Sequence, residues 1–314
     1  TDISIEKTPE VFERLRCSYD CSNPQSYILS PSALNAYLDC RLKFYYRYVA
    51  RLKAPDEVSA EIDSALFGTI FHLSAQLAYT DLTANRKIIQ KEDLERLLRN
   101  EVKLQNYVEV PADEKPEYNG VQLINSKVIV SYLKQLLRND LQYAPFEMVA
   151  MEKPVAEKIT IQTGQGPITL RLGGTIDRMD AKDTTLRIVD YKTGGSPKTP
   201  ANIEQLFTPS ETRPNYIFQT FLYAAIMSRQ QSLKVAPSLL YIHRAASESY
   251  SPVIEMGEPR QPKIPVNNFA FFEDEFRERL QRLLKEIFDE NEPFTQTEDT
   301  KKCAYCDFKA ICKR

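Results

Sequence analysis

From Phe146 the apolar positions of this chain recur every second residue; before it they recur every third or fourth. That change of period separates a helical stretch from a strand-rich one. In the first, Ser30-Pro31-Ser32 reads as a helix start, a capping hydroxyl followed by proline in the first turn. Leu34, Tyr37, Leu38, Arg41, Phe44, Tyr45 and Tyr48 then recur at helical spacing. A second helix is predicted over 62–79 with His72 inside it, and residues 83–142 as two or three helical pieces broken near Pro111 and Pro116. Strands are predicted near 147–153, 156–163, 168–179 and 186–192, with Gly164-Gln165-Gly166-Pro167 as a hairpin turn and 181–185 turn-like. A helix over 215–228, a strand over 239–242, a weak strand over 253–256 and an amphipathic helix over 269–290 follow. Residues 193–213 form the longest loop near the strands, and 1–29 read as polar and irregular.

With 42% apolar residues in 314, an ordinary core is available. We expect a polar segment 1–29, then one domain over 30–314. Its parts are a mostly helical 30–145, a core sheet and helix over 146–256, and a C-terminal helix with a cysteine tail over 257–314. A net charge of −2 gives no general attraction for nucleic acid, so a local basic surface must carry any such binding. Six cysteines are too sparse for a disulfide scaffold, and a reducing cytoplasm is the simplest compartment. No stretch approaches membrane-spanning length and no signal-peptide pattern opens the chain, so no membrane partner is expected. The start at Thr1 without Met leads us to expect a processed product or a fragment.

The candidate chemistry lies on the predicted strands. Adjacent antiparallel strands bring Asp177 and Asp190 to one end of a sheet, and Lys192, two residues past Asp190, points to the same face. Two carboxylates beside an ammonium can hold hard divalent cations next to a phosphate, or can form a plain cross-strand salt bridge. Glu152 is either a further acidic site residue or a strand-edge charge, and His72 either a ligand or a core histidine. His243 reads as structural. Gln219 and Tyr223 share one helix face. The tail reads Cys303-x2-Cys306-x5-Cys312, and Cys40 is the choice of fourth thiolate; such a set suits zinc or an iron–sulfur cluster. Cys17 and Cys21 read as ordinary thiols. Arg41, Lys43 and Arg47 with Tyr45, Tyr46 and Tyr48, together with Lys309 in the tail, form either a DNA-binding patch or a solvated helix with its aromatics in the core.

Gly173-Gly-Thr-Ile-Asp-Arg-Met-Asp180 followed by Ile188-Val-Asp-Tyr-Lys-Thr-Gly194 resembles the PD-(D/E)xK nuclease superfamily in its RecB/AddB-like branch. Gln219 to Tyr223 matches the branch's Gln-x-x-x-Tyr helix, and Gly68 to His72 its Gly-x-x-x-His segment. The resemblance covers about residues 30–312. It implies a mixed α/β fold, a restriction-endonuclease-like αβββαβ core with a helical N-terminal insertion. It implies Mg²⁺ or Mn²⁺ on Asp177 and Asp190, with His72 and the Tyr191 backbone carbonyl as further ligands. Lys192 would polarise the attacking water, while Gln219 and Tyr223 would reach a DNA phosphate or order that water. The similarity to AddB-type nucleases implies a structural [4Fe–4S] cluster on Cys40, Cys303, Cys306 and Cys312.

The function so implied is metal-dependent DNA hydrolysis, as an exonuclease on single strands or ends in recombination and repair. No Walker phosphate loop occurs in the chain, so a helicase region or helicase partner would supply unwinding. The alternatives are a free-standing exonuclease similar to those of CRISPR adaptation, and a DNA-binding module that has lost cleavage and keeps a structural metal site.

Overall fold

The computed structural model describes residues 3–53, 64–108 and 120–314, with the backbone alone over 120–124. The helix start expected at Ile62 and the breaks expected at Pro111 and Pro116 lie outside the described residues. Along the chain, β1 (Ser4–Ile5) and α1 (Pro9–Tyr19) lead to α2 (Pro31–Asp39) and α3 (Arg41–Phe44). Then come α4 (Ser64–Leu82), β2 (Ile88–Ile89), α5 (Lys91–Leu98), α6 (Glu101–Asn106) and α7 (Gly120–Tyr143). Strands β3 (Phe146–Thr163), β4 (Gly166–Lys182) and β5 (Thr185–Lys192) precede α8 (Glu204–Phe207), α9 (Asn215–Gln230) and β6 (Lys234–Tyr241). The chain closes with β7 (Glu255–Met256), β8 (Ile264–Pro265), α10 (Ala270–Ile287), β9 (Phe294–Thr295) and α11 (Lys309–Cys312).

The central sheet has the order β2-β3-β4-β5-β6 and is mixed: β5 and β6 are parallel, the other neighbours antiparallel. Helix α9 makes the crossover between β5 and β6, as a parallel pair requires. The sheet is buried on both faces, which explains the nearly unbroken apolar run of β5. Leu186 and Ile188 enter a core built with α1, α2, α9 and α10. Val189 and Tyr191 enter a second core built with α4, α5 and α7. This is the expected mixed α/β architecture, with a central mixed sheet and helices packed on it.

Local details correct the sequence reading. Residues 1–29 are not irregular throughout: Thr8 accepts from the Val11 N–H, Pro9 sits in the first turn, and α1 buries Phe12, Leu15 and Tyr19. Ser30 caps α2 through the Ala33 N–H as predicted, but the helix does not run on to Tyr48. Cys40 takes extended backbone angles, φ −164° and ψ 111°, ends α2, and caps α3 by accepting from the Lys43 N–H at 3.5 Å. The two strands expected before the hairpin are one, β3, with a register shift between Met148 and Ala150. Pro154 is tolerated inside it because β2 pairs only with Phe146 and Glu147, leaving that edge with no ladder bond to lose. The hairpin closes over Gly164-Gln165, where Gly166 has φ +105°.

Candidate metal centre

The register of three strands sets three carboxylates in a row. Arg178 pairs with Val189, so Asp177 stands opposite Asp190. Met151 pairs with Arg178 and Lys153 with Ile176, so Glu152 stands opposite Asp177. Residues opposite one another on adjacent strands share a face. From α4, His72 brings its Nδ1 to 3.4 Å from Glu152 Oε1 and 3.5 Å from Asp177 Oδ1. Its ring stands edge-on to Tyr191, with centroids 5.8 Å apart. Ligand atoms of His72, Glu152 and Asp177 all lie within 4.8 Å of one another, the sole such group of three among the described residues.

Asp190 occupies the other end of the row. Its Oδ1 accepts from Gln219 Nε2 at 3.1 Å, and Lys192 Nζ lies 2.6 Å from its Oδ2 as an ion pair. The Tyr191 N–H donates to Asp177 Oδ2 at 2.7 Å, fixing that carboxylate. The Tyr191 ring turns away into the second core. Burial pushes the Asp190 carboxyl up to about 6, with Lys192 pulling against it and Asp177 adding to the rise. Burial works against the His72 imidazolium, but the Asp177 and Glu152 carboxylates outweigh it and push His72 up to about 10. Burial, aided by the Asp190 and Asp177 carboxylates, raises the Tyr223 phenol. The Tyr223 hydroxyl lies over Gly174, where an added Cβ would sit 2.6 Å from it.

Glu152 Oε1 and Asp190 Oδ2 are buried, the first facing His72 Nδ1 at 3.4 Å and the second Lys192 Nζ at 2.6 Å. Carboxylates gathered out of water are costly in a folded protein unless positive charge faces them. Together with Asp177 and one imidazole, Glu152 and Asp190 make a hard donor set, which fits a divalent cation. Glu152 also carries φ +47°, an uncommon backbone state for a side-chain-bearing residue and one that clusters at functional sites.

The structure therefore gathers His72, Asp177, Asp190, Lys192, Gln219 and Tyr223 in one place, and it adds Glu152, which the sequence left open. A buried polar network beneath the row was not anticipated. Arg178 bonds to Asp140 and Asp180, Arg187 bonds to Asp180, and the Tyr79 hydroxyl donates to Asp140. It spans α4, α7, β4 and β5, and periodicity gave no sign of it because its members are charged residues at core positions.

Cys40, Cys303, Cys306 and Cys312 are free and line one cavity of about 250 Å³ together with Lys43 and Lys309. Arg47 pairs with Asp307 beside it at 3.5 Å. Arg41 turns inward to Glu286 and Glu292, at 2.6 and 2.9 Å. Cys17 is exposed and donates to Glu13 at 3.1 Å.

The family model of the PD-(D/E)XK nuclease superfamily matches residues 28–313, and the chain belongs to that superfamily. Its members are nucleases that use divalent metals, and the His72–Glu152–Asp177 group is in keeping with that use. A search of curated proteins finds no match. A solved structure described as a crystal structure of SSO0001 is 13% identical, over 90% of this chain and 94% of that one, with a TM-score of 0.24. A likeness that slight carries no argument.

Proposed function

We propose that this protein is a Mg²⁺- or Mn²⁺-dependent deoxyribonuclease of the RecB/AddB-like branch, degrading single strands or DNA ends. The observation that carries the reading is the row of buried and half-buried carboxylates Glu152–Asp177–Asp190, closed by His72 and Lys192. His72, Glu152, Asp177 and Asp190 would hold the cation, which when bound supplies Lewis-acid stabilisation of the phosphoryl oxygens and a more acidic water. Tyr191 orients Asp177 through its backbone N–H. Lys192 offsets charge that builds on the phosphate and hydrogen-bonds the approaching water. Gln219 fixes Asp190, and Tyr223 fills the space over Gly174 beside it. A role in recombination and repair fits a nuclease without its own Walker loop, working with a helicase region or partner.

We infer that Cys40, Cys303, Cys306 and Cys312 hold an iron–sulfur cluster. The four thiols line one cavity, but among the described residues no three of them form a ligand group as close as His72, Glu152 and Asp177, so the inference rests on their spacing in the sequence and on that shared cavity. Such a clip would join two ends of the domain, offsetting about 5 kcal/mol of loop-closure entropy by the logarithmic rule. Protein purified without air should carry about four irons per chain; zinc without iron would reverse the assignment.

The test of the nuclease reading is an assay on end-labelled single- and double-stranded DNA with each cation. Cation-dependent release of short products from linear single strands, with circular single strands spared, supports it. No cleavage with either cation would reject it.

A further inference from the structure

Next to the carboxylate row lies a cavity of about 650 Å³, within the size range of small-ligand sites. Lys198, Tyr241, His243, Arg244 and Tyr250 line it, and Glu255 is the one carboxylate of the lining. It adjoins the site across the β5–β6 pair. Tyr241 is the register partner of Lys192 across the parallel β5–β6 pair, one strand spacing away. Lys192 Nζ lies 4.2 Å from the centroid of the Tyr216 ring. Beyond it, Gly195 sits against both Tyr216 and Tyr241, where an added Cβ would be 3.5 and 3.7 Å from them. The segment that leaves β5 at Lys192 thus becomes the cavity wall at Pro197, Lys198 and Thr199.

The cavity is built and positive. The Tyr250 hydroxyl accepts from the Tyr241 N–H at 2.8 Å and donates to Leu239 O at 3.1 Å, which locks the far wall to β6. The exposed His243 ring stands edge-on to Tyr241, with centroids 6.3 Å apart. Among the described residues, neither Arg244 nor His243 makes an ion pair, whereas Arg178, Arg187, Arg213 and Arg277 are all paired. Lys198 donates only to the Arg213 carbonyl, at 3.2 Å. Burial and the neighbouring Arg213 and Lys302 cations pull it below the usual lysine range, with Asp39 opposing.

We propose that this cavity is a subsite for single-stranded DNA, holding the nucleotide unit next to the phosphate at the carboxylate row. Arg244 and Lys198 take its phosphate, and the exposed His243 ring faces its base. The argument rests on the nuclease reading for the position of the reacting phosphate. Unpartnered cations beside aromatic rings are the recognition chemistry of a single strand.

The experiment is binding and cleavage by the full chain carrying Arg244→Gln and Lys198→Gln. A fluorescent single-stranded oligonucleotide is titrated in Ca²⁺ across a salt series, then cleaved in Mg²⁺. Both side chains are exposed, and unchanged melting will show that the fold is kept. Each lost phosphate contact lowers the salt slope by about 0.7, so the double variant should lose about 1.4 and bind on the order of tenfold more weakly. KM should rise with kcat kept within about twofold, as expected for binding shared by ground and transition states. Lys158→Gln on the distant hairpin should change none of these. If affinity and slope match the parent, the subsite is overturned while cleavage by the parent keeps the nuclease reading intact. If the parent binds but never cleaves and the double variant still loses slope, the subsite stands and the catalytic reading falls. A loss confined to duplex DNA overturns the single-strand assignment.

Discussion

Glu152 and Asp177 stand directly opposite one another on β3 and β4, one residue in from the paired Met151–Arg178 and Lys153–Ile176. Opposed like charges on one sheet face repel, and Glu152 also holds a left-handed backbone. A bound cation reverses the sign of that interaction. Glu152→Gln should therefore weaken Mn²⁺ binding at least tenfold and slow cleavage by about 100-fold, the size of effect seen when groups around a bound metal are removed. Calorimetric Mn²⁺ titration measures the first; parental affinity in the variant would exclude Glu152 as a ligand.

Metal binding should expel protons. Asp190 is held up at about 6, chiefly by burial, against a reference of 3.8. A raised folded value stabilises the metal-free fold at low pH, and that contribution is lost as pH rises through about 6; the shift is worth roughly 3 kcal/mol. The contribution of His72, raised against its burial by Asp177 and Glu152, is present below 6.5 and lost as pH rises through about 10. Ligands must be deprotonated, so binding at about pH 8 should release close to one proton, and at about pH 5 more than one. Titration in two buffers of different ionisation enthalpy gives the count. No release at about pH 8 would remove His72 from the ligand set.

Two neighbouring glycines should respond differently to alanine. A Cβ on Gly173 would meet the Val155 carbonyl at 2.1 Å, a backbone atom that cannot move without opening the β3–β4 pairing. On Gly174 it would meet the far end of Tyr223 at 2.6 Å, which can swing aside. Gly173→Ala should cost more than the roughly 1–3 kcal/mol of ordinary overpacking, and Gly174→Ala less than Gly173→Ala. Adding Tyr223→Phe should recover part of the Gly174→Ala loss, because it removes the clashing oxygen. Denaturant melts of the four proteins test this; equal losses at the two glycines would contradict it.

The charges under the site form a second test. Arg178 is fully buried with Asp140 and Asp180. Arg178→Met removes the closest cation of Asp140, leaving it the Tyr79 hydroxyl and Arg187 at 3.9 Å, and should cost about 3–5 kcal/mol. Arg178→Met with Asp140→Leu should be less harmful than the sum of the two single changes, read from the same melts.

Much of this was legible in the sequence because it rests on period and spacing. The alternation through Ile168, Leu170 and Leu172 and the short apolar β5 located the strands, and their antiparallel register brought Asp177 to Asp190. The helix carrying Gln219 and Tyr223 lies where its spacing put it. Glu152 stayed ambiguous because its place opposite Asp177 depends on the shift between Met148 and Ala150, which no periodicity reveals. The break at Cys40 was hidden by an apolar pattern that continues across it in α3. Arg41 looked like surface charge, since its partners Glu286 and Glu292 are about 250 positions away and only the fold brings them near.

The most direct measurement is single-turnover cleavage of end-labelled single-stranded DNA by Asp190→Ala, in Mg²⁺ and in Mn²⁺, with binding to the same oligonucleotide measured in parallel. Asp190 packs against Lys192 and Gln219 and closes the carboxylate row, so its loss removes chemistry while the strands around it stay paired. The account predicts cleavage down by at least about 1,000-fold, as for loss of a group acting on the transition state, with DNA affinity within about threefold of the parent. Cleavage at the parental rate with either cation would contradict it.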